Sequence, residues 1–299
     1  MDSFTIIFIS LLSGYLLQKF HAKTVTLAKP LNQYIIYIAL PAMIFLEVPK
    51  ITLSTDLFIP VVVSWIVMLG SALMVLFSSY LFKFSKEHTG ALMLVSVLTN
   101  STFLGIPIIH AYFGLASLPF IIVYDQIGSF LALSIYGTMV VSYYSHKSKV
   151  KLSIIVMKVL MFPPLISLIV AFLISAHHFS SISISIFELL TSSIVPFALF
   201  AVGLQLQFRL PLNEIKPFTI SLIIKLIMAP IIAILVAYLF SWDNLASQVS
   251  IMEAGMAPMI TAGALASMMG LAPRLSSAIV GYGILLSFVT SGVLFRIIS

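Results

Sequence analysis

The 299-residue chain has no cysteine, two tryptophans, and only nine acidic side chains against fifteen basic ones. Without cysteine there is no disulfide, no thiolate metal site and no cysteine nucleophile. Charged residues make up 8% of the chain. Soluble domains carry about 25%, so this chain has too little charge to coat a water-facing surface. It also lacks a His-Glu-x-x-His metal motif, a Gly-x-Ser-x-Gly elbow and a phosphate-cradling Gly-Lys-Ser/Thr loop. Metal-assisted or serine hydrolysis and direct ATP hydrolysis are therefore not expected, and the chain does not read as an enzyme. What is present is apolar: 61% of residues are hydrophobic and mean hydropathy is +1.18. That is the composition of an all-α polytopic membrane protein, with the lipid bilayer as its first partner. The net charge of +6 is spread through short loops between apolar runs, which argues against a nucleic-acid partner.

A bilayer core about 30 Å thick needs apolar runs of roughly 17–25 residues. Polar breaks divide the chain into ten such runs, near 3–20, 33–49, 57–82, 88–113, 116–144, 152–176, 186–207, 214–240, 244–270 and 274–298. The first is expected to be a retained span rather than a signal peptide, because Met1-Asp2-Ser3 offers no basic start. Loops after odd-numbered spans hold eleven Lys and Arg residues; the opposite side holds Lys50 and Arg296. The positive-inside rule then puts the odd loops in the cytoplasm and both termini outside the cell (inner) membrane. Lys158 and Lys225 are expected near cytoplasmic span ends, snorkelling to water.

The halves resemble each other. Pro41 and Pro196, Pro107 and Pro258, and Gly114 and Gly270 are each separated by about half the chain. A duplicated set of five spans inverts its second copy, because five is odd. The expected organisation is a 5+5 inverted repeat: residues 1–145, a basic cytoplasmic linker at 146–151, and residues 152–299.

Two interruptions stand out. Asn100-Ser101-Thr102-Phe103-Leu104-Gly105-Ile106-Pro107 breaks the fourth run, and Glu253-Ala254-Gly255-Met256-Ala257-Pro258 breaks the ninth. Proline removes a backbone donor and disturbs the preceding turn. A broken helix leaves carbonyls open on one side of the break and amides, with partial positive charge, on the other. Such paired breaks mark the binding site in many secondary transporters. Thr99, Asn100, Ser101 and Thr102 supply oxygens beside the first break. Glu253 lies about 14 Å into its span by helix rise, near the midplane. Asp125 is comparably deep, with Gln126 beside it and Ser129 one turn on. Intramembrane acids are costly unless paired, hydrated or protonated, so they mark function. Ile279-Val280-Gly281-Tyr282-Gly283 looks like a channel-filter fragment but lies within a continuous tenth span, which disfavours that role. His110, close behind Pro107, is a candidate proton sensor or a packing residue. His177 and His178 are neighbours that share no helix face, and are expected in an outer loop.

With those two stretches, Leu40-Pro41-Ala42-Met43-Ile44-Phe45 and Lys225-Leu226-Ile227-Met228-Ala229-Pro230, the chain resembles a bacterial member of the auxin efflux carrier family. That family is related to plant PIN-type carriers and, more distantly, to bile acid–sodium symporters. The resemblance covers essentially the whole chain. It implies a scaffold domain, a transport domain with two broken helices crossing near Pro107 and Pro258, and movement of small organic anions such as mono- or dicarboxylates or auxin-like acids. By likeness to the sodium symporters, Asn100, Ser101, Asp125, Ser129 and Glu253 would form a cation site. Two features depart from the family pattern. The long cytoplasmic loop of the large plant carriers is absent, and Thr261-Ala262 stands where an asparagine is expected after the second crossing.

The expected function is thus alternating-access transport of a small organic anion, secondary active or facilitative. The alternatives are a sodium-coupled bile-acid-like or other solute symporter and a passive channel. The substrate would touch Asn100, Ser101, Gly105, Ile106, Pro107, Ala257, Pro258 and Thr261, against amide ends near 106–109 and 257–260. Asn100, Asp125, Ser129 and Glu253 would couple a proton or cation, with Asn100, Ser101 and Glu253 as candidate Na+ ligands. No cofactor is expected beyond Na+ or H+ as coupling ion, and a homodimer is a candidate assembly.

Overall fold

A computed structural model describes residues 3–50, 54–145, 157, 160–174, 179–206, 208 and 214–299. The basic linker at 146–151, the neighbouring Lys158 and the pair His177-His178 lie outside the described residues. The regular structure among the described residues is helical, apart from one isolated bridge. In chain order the helices are α1 (Ser3–Phe20), α2 (28–47), α3 (Thr55–Phe82), α4 (Lys86–Val95), α5 (Ser101–Phe113), α6 (Leu115–Tyr144), α7 (Pro163–Leu173), α8 (Ser181–Gln205), α9 (Ile215–Leu239), α10 (Leu245–Ala254), α11 (Ile260–Met268) and α12 (Pro273–Ile298). Five of them, α3, α6, α8, α9 and α12, are long and apolar enough to cross a bilayer.

Prolines shape these helices without simply ending them. Pro41, Pro107 and Pro230 each follow a π-helical turn, at Ile35–Ala39, Ser101–Gly105 and Ile224–Met228. A proline ring clashes with the carbonyl four residues back. A π turn relieves that by widening the ladder to i→i+5. The crossing expected near Pro107 is therefore displaced: the chain stays helical through Pro107 and leaves the helix earlier, between Val95 and Ser101. Gly114 and Gly270 have φ of +69° and +75°, the left-handed values that end α5 and α11 in corresponding places.

The helices pack in two groups. One holds α1, α2, α7 and α8; the other holds α3 to α6 and α9 to α12. The first group is tied by α1 against α8, where backbones nearly touch: a Cβ on Gly14 would overlap the Phe200 carbonyl oxygen, and one on Gly203 the Leu11 carbonyl oxygen. Small residues permit such close approach where helix association lacks a hydrophobic drive. The groups meet where α8 packs on the π turn of α5 and α1 packs on the remainder of that helix.

Candidate functional site

The two broken stretches meet. Asn100 N donates to Ala257 O at 3.0 Å, and Met259 N donates to Leu98 O at 3.0 Å, closing an antiparallel bridge between Thr99 and Pro258. Bridged residues of this kind need no hydrogen bond of their own, because the flanking groups make both bonds. Proline's missing N–H therefore costs nothing at position 258. The second break is placed by its own proline. The first has no breaker between Ser96 and Asn100, and is held open by its partner.

The outer and inner ends of the half-helices differ. Ser85 caps α4 through the His88 amide at 3.2 Å, and Asn244 caps α10 through the Ser247 amide at 3.0 Å. The starts of α5 and α11, at the bridge, have no side-chain cap. Each helix start leaves up to four amide donors without intrahelical partners. Asn100 adds a side-chain amide nitrogen that is buried and has no partner. The amide ends thus lie around Ser101 and Ile260; the first is several residues before the expected 106–109.

Behind the bridge is a cluster of buried polar groups. Ser101 Oγ and Thr102 Oγ1 donate to Asp125 Oδ1 at 2.5 and 2.6 Å, and Gln126 Nε2 donates to Asp125 Oδ2 at 2.6 Å. Asp125 sits in a π-helical turn of α6, Tyr124–Phe130, a geometry often found at functional positions. Both Glu253 oxygens are buried without a hydrogen-bond partner, and the carboxylate faces Gly105 so closely that a Cβ there would overlap it. Gly105→Ala is accordingly expected to lower both the melting temperature and transport. Adding Glu253→Ala should restore melting without restoring transport, as read by thermal unfolding and proteoliposome uptake. No recovery in the double variant would show that the alanine acts elsewhere.

The residues read from sequence separate into three places. Asn100, Ser101, Gly105, Ala257, Pro258, Asp125 and Glu253 gather at or behind the bridge. Ile106 and Pro107 line a cavity of about 460 Å³ with Glu47, His110, Glu188 and Pro196. Thr261 lines a second cavity of about 850 Å³ with Phe130, Ser134, Thr138, Phe162 and Met268. Helix α6 runs from one to the other: Leu118 lines the first cavity and Thr138 the second. Twenty helical residues span about 30 Å, so the cavities lie toward opposite ends of the molecule, with Asp125 between them along α6. Both lie between the two helix groups. Ser129 is buried beside this cluster in sequence, but its hydroxyl has no partner; Thr102 and Gln126 are the groups that hold Asp125. Gly283 of the filter-like string lies in the continuous α12, against Pro258.

Lys225 is not where the sequence reading put it. Instead of snorkelling at a span end it is 0% exposed, donating to Thr99 Oγ1 at 2.5 Å and Ala254 O at 3.0 Å. Tyr124 is a second group that the sequence reading passed over, with its hydroxyl toward Thr99 and within electrostatic reach of Glu253.

Comparison with known proteins points to membrane transport. The model of a family described as membrane transport protein matches residues 1–295. An uncharacterized transporter of Methanocaldococcus jannaschii is 29% identical over 266 residues, covering 86% of this chain and 85% of that protein. An uncharacterized transporter of Methanothermobacter thermautotrophicus is 26% identical over 263 residues, covering 87% and 85%.

Proposed function

The chain belongs to the membrane transport protein family, the auxin efflux carrier family that its motifs resemble, and is a multi-pass membrane transporter rather than an enzyme; from that premise we propose a secondary carrier that alternates access to a site at the Thr99–Pro258 bridge. The observation that carries the reading is the pairing of two uncapped helix starts at one point, with a cavity toward each end of the molecule. Exposed amides and the unpartnered Asn100 amide favour an anion, so the substrate is a small organic anion such as a carboxylate. Ser101 and the α5 start meet it from one side. Thr261 and the α11 start meet it from the other.

The scaffold is α1, α2, α7 and α8, and the remaining helices move against it. Each half of the chain gives its first two spans to the scaffold and its last three to the moving group. That division is the one expected of a 5+5 inverted repeat of ten spans. With the basic loops in the cytoplasm, the Thr261 cavity opens to the cytoplasmic side of the cell membrane and the Pro107 cavity to the outside. Coupling, by H+ or Na+, runs through Asp125 and Glu253.

Counterflow in proteoliposomes tests the carrier itself: trapped unlabelled organic acid should drive accumulation of the labelled acid, which a passive channel does not do. Glu253→Gln is expected to retain counterflow and lose its dependence on an ion gradient. Unchanged dependence on both pH and sodium would remove Glu253 from coupling.

A further inference from the structure

Lys225 has no part in the transport cycle proposed for the bridge, yet it is among the largest fully buried side chains of the molecule. It lies in the π turn Ile224–Met228 of α9, where an i→i+5 turn re-aims side chains relative to a regular helix. Its ammonium joins the two broken stretches: Thr99 belongs to the first, and Ala254 ends α10 in the second. Carbonyls at the C-terminal end of a half-helix are open and carry partial negative charge, which favours a cation. Unwound carbonyls and half-helix C-terminal ends are the groups that coordinate sodium in broken-helix transporters. Here one such carbonyl and a neighbouring hydroxyl are already bonded to an ammonium.

The other oxygens expected to hold sodium are constrained as well. Asp125 accepts three side-chain donors. Ser101 donates its hydroxyl proton to Asp125, and the Glu253 carboxylate is pressed against Gly105 while lying within electrostatic reach of both Lys225 and Asp125. A sodium ion added to this set would compete with the Lys225 amine for the Thr99 and Ala254 oxygens in a desolvated space.

We propose that Lys225 is the built-in cation of the crossing: its ammonium takes the position a bound sodium ion would occupy, and the protein works without sodium. The inference rests on the carrier reading and narrows it, because the residues present do not fit the sodium-coupled alternative. Lysine suits the task as a compact point charge with three donors on a flexible stem.

The test is thermal melting of purified protein in sodium chloride against choline chloride at equal concentration. Wild type is expected to melt at the same temperature in both. Lys225→Ala leaves a cavity rimmed by the Thr99 and Ala254 oxygens, and is expected to melt lower in choline and to regain several degrees in sodium. Lys225→Met keeps the volume but not the charge, and should show no sodium response. A sodium-specific rise in wild type, or a Lys225→Ala protein indifferent to sodium, overturns the proposal. Recovery of folded Lys225→Ala only when sodium is present during extraction supports it; failure to recover it in either salt counts against it. Counterflow by wild type is measured separately, with and without sodium. Its absence in both conditions defeats the carrier reading and leaves the melting result standing. Counterflow that requires sodium defeats the Lys225 proposal alone.

Discussion

Asp125→Ala is expected to reduce transport by roughly two orders of magnitude, the loss that misplacement of binding groups by about 1 Å produces in enzymes. The carboxylate gathers three donors: Ser101 and Thr102 from the start of α5, and Gln126 from α6. Removing it releases the uncapped start of α5 from α6, at the point where substrate is bound in the carrier reading. The fold should suffer less than transport. Serine and threonine hydroxyls can turn to carbonyls of their own helix, leaving the Gln126 amide as the main unsatisfied group, at a cost of about 1–3 kcal/mol. Asp125→Asn separates the two roles. Its amide has the same shape, and the hydroxyls can reverse to accept from it, so melting should change little. Uptake by the asparagine variant then reports the need for charge. Full uptake by Asp125→Ala would show that the cluster is structural filling.

Gly203→Val should abolish the folded protein outright. A Cβ at Gly203 meets backbone on the facing helix: it overlaps the Leu11 carbonyl oxygen and comes within 2.8 Å of Tyr15 N. Overpacking a side-chain core costs about 1–3 kcal/mol because side chains can shift. Here α1 and α8 must part along their length, and the penalty exceeds that range. Gly70→Ala is the matched control, since its Cβ would meet the Ile232 Cδ1 at 2.9 Å, the far end of a flexible side chain. Size-exclusion profiles should show Gly203→Val lost or aggregated and Gly70→Ala close to wild type. Equal behaviour of the two would mean the α1–α8 contact is softer than its geometry.

The long spans were legible in the sequence because apolar length alone specifies them. The runs read at 57–82 and 274–298 emerge as Thr55–Phe82 and Pro273–Ile298. The second break was legible because its proline lies within it. The first was misplaced by about eight residues, since Pro107 is the visible breaker and a π turn absorbs it. What opens the chain at Leu98–Asn100 is a partner more than 150 residues away, which no local pattern encodes. Depth and chemistry single out Asp125 and Glu253, and both are buried in the structure. Lys225 was missed for lack of the same arithmetic: it lies about ten residues inside its span, roughly 15 Å at helix rise, which is midplane and not interface. The signal was present in an apolar run with one charge at its centre.

The bridge between Leu98–Asn100 and Ala257–Met259 also imposes an order on synthesis. When residues 1–145 have entered the membrane, Asp125 can already gather Ser101, Thr102 and Gln126, all from the same half. The Leu98 carbonyl and the Asn100 amide cannot be satisfied until Met259 and Ala257 have been translated. Gly14 likewise waits for Phe200. The early chain must therefore remain sheltered, by the insertion machinery or by its own provisional packing, until α8 closes the first seam and Ala257–Met259 the second.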